Sequence, residues 1–167
     1  ASGYLAAMAL FGLAPEVMRP TALTLNILVA SLAAFRYTRA RQNDLKLLIP
    51  FAVTSIPAAF IGGIIPIWHA VYKPLIGIVL LFSAFHLGRT AGRAATADSA
   101  VKRPPTSLAM LTGGGLGLLA GFSGTGGGIF LSPLLLMMGW APTKSVSGIA
   151  ATFILLNSIA GLIGTTF

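Results

Sequence analysis

Charged residues are missing altogether from residues 47–72, 74–88, 104–143 and 145–167 of this chain. A water-soluble domain carries charge on about a quarter of its residues; here the share is 8%, against 56% hydrophobic. Apolar runs of about 18 residues or more are long enough to cross a bilayer. Backbone in lipid must find its hydrogen bonds inside the protein, which leaves helices or a closed barrel. Run length favours helices, so the expected fold is an all-α polytopic membrane protein.

The net charge of +8 would direct a soluble protein toward nucleic acid or other anionic partners. In a membrane chain the same excess marks cytoplasmic loops, so the lipid bilayer is the expected partner and nucleic acid is not. The chain has no cysteine, which excludes disulfides, thiol chemistry and cysteine-bound metals. Its first and last residues lie in apolar sequence, so it reads as a fragment of a longer, multi-pass membrane protein.

The patterning predicts spans over residues 21–37, 47–65, about 70–88, 106–122 with 129–138, and 146–164. Residues 2–11 are too short to cross, and "GLAPEVMRP" (12–20) reads as a polar turn. Trp68 and Tyr72 suit an interfacial connection outside the membrane. Arg36, Arg39, Arg41 and Lys46 fall in one loop and Arg89, Arg93, Lys102 and Arg103 in another. Two spans separate these loops, so both are expected on the cytoplasmic side.

Residues 12–35 lie over residues 139–162 at a constant offset of 127. Gly12, Ala14 and Pro15 match Gly139, Ala141 and Pro142, and Ser31 matches Ser158. The expected organisation is therefore a first repeat unit at 1–88, truncated at its start, a cytoplasmic linker at 89–105, and a second unit at 106–167, truncated at its end. Residues 106–139 are too long for one crossing at 1.5 Å per residue, which predicts two limbs turned back on each other. An odd number of limbs then separates the copies and makes the repeat inverted, an arrangement found in transporters with interrupted helices.

The turning point is "GFSGTGGGIF" (121–130), five glycines in ten residues. Glycine costs about 1 kcal/mol against alanine inside a helix, so each needs a reason. Gly113, Gly117 and Gly121 recur every four residues, the spacing that lets membrane helices approach closely; Gly161 is expected to pack likewise. Neither a dinucleotide fingerprint nor a Walker pattern is present. For Ser123, Gly124, Thr125, Gly126, Gly127 and Gly128 two readings stay open, a simple turn and an unwound segment whose N–H groups face an anion. A helix starting near Gly128 would aim its positive end there, with Ser132 adding a hydroxyl. Such a site needs no formal cation, since Lys144, the nearest in sequence, lies a ten-residue limb away.

Asn26, Thr152, Asn157 and Ser158 lie within spans and either bond neighbouring helices or line a substrate path; Thr24 and Ser31 are similar. Glu16 and Arg19, three residues apart, suit a surface pair. His69 and His86 have no carboxylate partners in sequence. There is no nucleophile–base set, carboxylate pair or metal-ligand cluster, so an enzyme is not expected, nor are catalytic residues, a metal or a cofactor.

The segment 121–161 resembles the sulfite exporter TauE/SafE family of membrane transporters. The elements that carry this are the glycine run at 124–128, Pro133, the turn at 135–139, and the alanine/threonine-rich helix at 150–158 with its Asn157–Ser158 pair. The first copy departs from the pattern, with Ala6 opposite Pro133 and Asn26 displaced from Asn157. The resemblance implies a secondary carrier of sulfite, organosulfonates or related small anions, without a bound cofactor, and adds Pro133 to the candidate site. A homo-oligomer is compatible with it. The alternative is a non-transporting structural or assembly protein, which would be dry around Gly124 where a transporter admits water.

Overall fold

The computed structural model describes residues 2–65 and 103–167, with Pro74, Gly77, Ile78, Leu81, Phe85 and Gly88 between them. Most of the expected third span, the connection around Trp68, His86 and most of the linker at 89–105 lie outside the described residues; the six described residues of that span are helical. Elsewhere among the described residues six helices are delimited and there is no strand: α1 (Ser2–Leu10), α2 (Pro15–Arg39), α3 (Leu45–Ile64), α4 (Thr106–Ser123), α5 (Gly128–Met137) and α6 (Thr143–Gly164). α2, α3, α4 and α6 are long and apolar enough to cross a membrane. Their exposed faces fit that setting, with Leu28, Leu32 and Phe35 outward on α2 and Ile49, Val53 and Ile61 outward on α3. The protein is a multi-pass integral membrane protein.

One boundary corrects the sequence reading. Residues 12–20 are not a polar turn, because α2 begins at Pro15 and carries Pro20 within it. Proline is well suited to the first helical position, where its missing N–H is not needed, so the first of the two prolines starts the helix. Arg19 thereby belongs to the helix.

The matched segments build the same turn twice. Phe11 N–H donates to Ala7 C=O, Gly12 to Ala9 and Leu13 to Met8; Met138 donates to Leu134, Gly139 to Leu136 and Trp140 to Leu135. Every pair is offset by 127. Gly12 and Gly139 supply the positive φ these turns need, 70° and 63°, a region that glycine enters without a side-chain penalty.

Contacts fix the helix directions. A Cβ on Gly113, Gly117 or Gly121 would overlap or crowd the backbone of Phe51, Ser55 and Ala59 respectively, so α3 and α4 run parallel with backbones touching every four residues. Thr54 Oγ1 donates across this seam to Met110 C=O at 2.7 Å. Gly148 meets Gln42 and Tyr37 near one end of α6, while Gly164 meets Phe60 and Gly63 at the other; α6 therefore runs with α3 and against α2. α5 leads from Gly128, beside Ile154, back to Leu131 and Leu135, which share an apolar cluster with Leu48, Phe51, Ile149 and Phe153. It is a returning limb, antiparallel to α4.

That cluster fills the end of the bundle where α3 and α6 begin. It also buries Trp140, whose ring lies 6.1 Å from that of Phe51. At the same end Asp44 caps α3 by accepting from Leu47 N–H (3.2 Å), and Arg103 approaches Asp44 at 4.0 Å. Such an exposed pair adds little stability, but it brings the end of the linker beside the loop after α2. Gly161 packs against Gly121 and Leu23, as expected, but at ordinary distances of 3.4–3.6 Å from its Cβ position. The close α3–α6 contact is made instead by Gly63 and Gly164.

Candidate functional site

The chain leaves α4 through three left-handed residues in four: Gly124 (φ 72°), Gly126 (φ 72°) and Gly127 (φ 75°). An L-residue pays roughly 1–2 kcal/mol for this conformation, which is why three glycines stand there. Residues 123–128 are all buried. Ser123 Oγ donates to Leu119 C=O (2.6 Å) and lies 2.8 Å from Thr125 Oγ1. Gly124 N–H closes α4 on Ala120 C=O, and Gly124 C=O accepts from Asn26 Nδ2 (3.0 Å). Tyr4 Oη donates to Asn26 Oδ1, so α1 and α2 together hold the break.

Thr125 N–H turns back to donate to Ser123 Oγ (3.4 Å), and the backbone donors that follow it lose their partners. Gly127 is the N-cap of α5 and offers no side-chain cap. The N–H groups of Gly126, Gly127, Gly128 and Ile129 have no acceptor among the described residues. A helix start buried without partners is exceptional, and unpaired buried donors cost about 1–3 kcal/mol each. Beside them stands Ser158 of α6, fully buried, whose Oγ is also without a partner. It lies 2.7 Å from where a Cβ on Gly126 would be. The N–H groups of residues 126–129 stand at the start of α5, its positive end.

Arg19 contradicts the sequence reading twice. It is not a surface residue but 8% exposed, and it lies in a helix rather than in a turn. Its Nε donates to Gly121 C=O (3.0 Å), Nη1 to Ile65 C=O (3.2 Å), and Nη2 to the carbonyls of Gly62 and Gly63, the latter at 2.6 Å. Its Cα and Cγ lie 3.5 Å from the Cβ position of Gly124. The available signal was Pro15: a helix started there places Arg19 and Asn26 seven residues apart on one face.

The remaining expected site residues separate. Ser132 Oγ donates to Gly128 C=O within α5 (3.0 Å), and Pro133 is buried in the same helix. Thr152, midway along α6, is taken by Asn43, whose Nδ2 donates to its Oγ1 (2.7 Å). Asn157 Nδ2 donates to Phe153 C=O (2.9 Å), while its buried Oδ1 has no partner among the described residues. Thr24 and Ser31 are exposed and bond their own helix. The break thus gathers residues 123–128, Asn26 and Ser158, with Tyr4 and Arg19 added. An apolar groove of about 400 Å³ between α3 and α6, lined by Ile56, Pro57, Phe60 and Ile163 among others, shares no residue with it. Among the described residues no cluster of three or more metal-ligating side chains occurs.

Comparison with known proteins gives the same outline. The chain is 38% identical over 165 residues to the probable membrane transporter protein y4hK of Sinorhizobium fredii, covering 98% of this chain and 67% of that protein. It is 30% identical over 135 residues to the probable membrane transporter protein MJ0441 of Methanocaldococcus jannaschii, covering 79% of this chain and 49% of that one. The chain thus spans about two thirds of the first relative's length and half of the second's. No solved structure matches it. The family model described as Sulfite exporter TauE/SafE matches residues 2–167, and the chain belongs to that family of membrane transporters.

Proposed function

We propose that this protein is a secondary transporter of small anions of the sulfur oxyanion class, sulfite or organosulfonates, and that the glycine break is where the anion is held. The observation that carries the proposal is a run of backbone donors with no acceptor among the described residues, the N–H groups of residues 126–129, with the buried Ser158 hydroxyl against Gly126. An oxyanion offers several acceptor oxygens at short range, and charge-assisted bonds to it are about twice as strong as neutral ones. The left-handed glycines expose those donors, and the α5 helix end adds its field. The family supports transport as the activity. In this reading the basic loops face the cytoplasm of a bacterial inner membrane, and the two turn-bearing copies form an inverted repeat around the site.

The test is stabilisation of the intact native protein by anions. At a hundred times Kd a ligand bound only to the folded state adds about 2.7 kcal/mol. Sulfite, sulfate and methanesulfonate should raise the unfolding temperature in detergent at constant ionic strength and sodium, relative to chloride. A structural or assembly protein would show the same temperature in all four.

A further inference from the structure

We infer that Asn26 touches the bound anion directly, as a second side-chain donor beside Ser158, so that the site is shared between α2 and α6; the inference rests on the anion reading above. Asn26 is 3% exposed and lies in the middle of α2. Its amide is held at both ends: Tyr4 Oη donates to Oδ1, and Nδ2 donates to Gly124 C=O at 3.0 Å. A carbonyl can only accept, so it must face the nitrogen, which fixes the way round the amide lies. Nδ2 carries two hydrogens. One goes to Gly124, and no acceptor among the described residues takes the other. A clasp on the break explains the first hydrogen and leaves the second unexplained.

Gly126 places that nitrogen in the site. The position a Cβ on Gly126 would take is 3.3 Å from Asn26 Nδ2 and 2.7 Å from Ser158 Oγ, with Ile154 Cγ2 at 2.8 Å. Two atoms so placed are at most about 6 Å apart, within reach of one oxygen that accepts from both at about 3 Å. Ser158, at 0% exposure, has no partner for its hydroxyl among the described residues either. Buried polar groups in native proteins are nearly always paired, and each exception calls for a ligand, a water or a function. Here two such side chains, from helices that run in opposite directions, flank one glycine of the break. An oxyanion bound there would join α2 to α6 across Gly126.

Aspartic acid separates the clasp from the contact. In its protonated form it has the shape of asparagine: its O–H can take over the bond to Gly124 and its C=O the bond from Tyr4, with no hydrogen left for a ligand. Methanesulfonate binding would be measured on the intact protein in detergent, in mildly acidic buffer, for wild type and Asn26→Asp, beside the ligand-free unfolding temperature of each. The expected result is an unfolding temperature close to wild type and an affinity lower on the order of tenfold, the loss of one hydrogen bond to a charged acceptor. Wild-type affinity in a folded Asn26→Asp would overturn the inference and leave the anion reading standing. Should that variant fail to fold or lose stability, nuclear magnetic resonance of the wild-type protein carrying isotope-labelled asparagine decides. Methanesulfonate should shift one of the two side-chain amide protons of Asn26, and unmoved protons overturn the inference. A wild-type protein that binds no methanesulfonate removes the anion reading and this inference together.

Discussion

Replacing Gly117 with alanine should destabilise the bundle by about 3 kcal/mol or more, at the upper end of overpacking costs. A Cβ at this position would overlap the Ser55 carbonyl oxygen and stand 2.5 Å from the Ser55 Cα. Both obstacles are backbone, so no side-chain rotation relieves them. α3 and α4 would have to separate, loosening the contacts at Gly113 and Gly121 and the Thr54–Met110 hydrogen bond along the same seam. Gly115 of the same helix is the control: it is exposed, and nothing lies within 4 Å of its Cβ position. Gly115→Ala should stabilise by up to about 1 kcal/mol through helix propensity alone. Unfolding of the two variants in detergent would show the difference. Equal stabilities would mean that the backbones do not touch as described.

Gly126→Ala should affect transport rather than assembly. The left-handed φ costs alanine roughly 1–2 kcal/mol. The methyl group would stand 2.7 Å from Ser158 Oγ and 2.8 Å from Ile154 Cγ2, in the gap between the hydroxyl and the free N–H groups. Ser158 can turn aside, so the protein should still fold, but its hydroxyl and one or more N–H groups are then lost to a ligand. Hydrogen bonds to charged groups contribute about 1.5–3 kcal/mol each, so anion uptake into vesicles, per folded molecule, should fall on the order of a hundredfold. Undiminished uptake would remove the break from the transport path.

The sequence made the helices legible because lipid permits so few alternatives: uncharged runs of sufficient length must be helical, and the structure has α3, α4 and α6 within a few residues of the expected ends. The packing of Gly113, Gly117 and Gly121 was legible for the same reason, since four-residue spacing puts small residues on one face. Gly161 shares that composition without the close approach, because whether a glycine touches a neighbour depends on where the neighbour lies. Residues 123–128 and Ser158 could be nominated from the sequence, but the placing of Ser158 against Gly126 depends on the break lying beside α6. Arg19 was misread because its local surroundings, two prolines and a glutamate, look like a turn. Its carbonyl partners come from α3 and α4, between 43 and 102 residues away in the chain. Thr152 shows the converse, a mid-span hydroxyl taken by Asn43 of a loop rather than by the site.

Ser158→Ala tests the central claim most directly, because structure and function pull it in opposite directions. The hydroxyl is fully buried and has no partner among the described residues, a situation that costs a folded protein about 1–3 kcal/mol. If Oγ is there for the anion, removing it should leave the ligand-free protein as stable as wild type or about 1 kcal/mol more so, while sulfite and methanesulfonate bind on the order of tenfold more weakly. The measurement is unfolding temperature with and without each anion, on both proteins. A variant that is less stable without ligand yet gains as much from the anions as wild type would contradict the account.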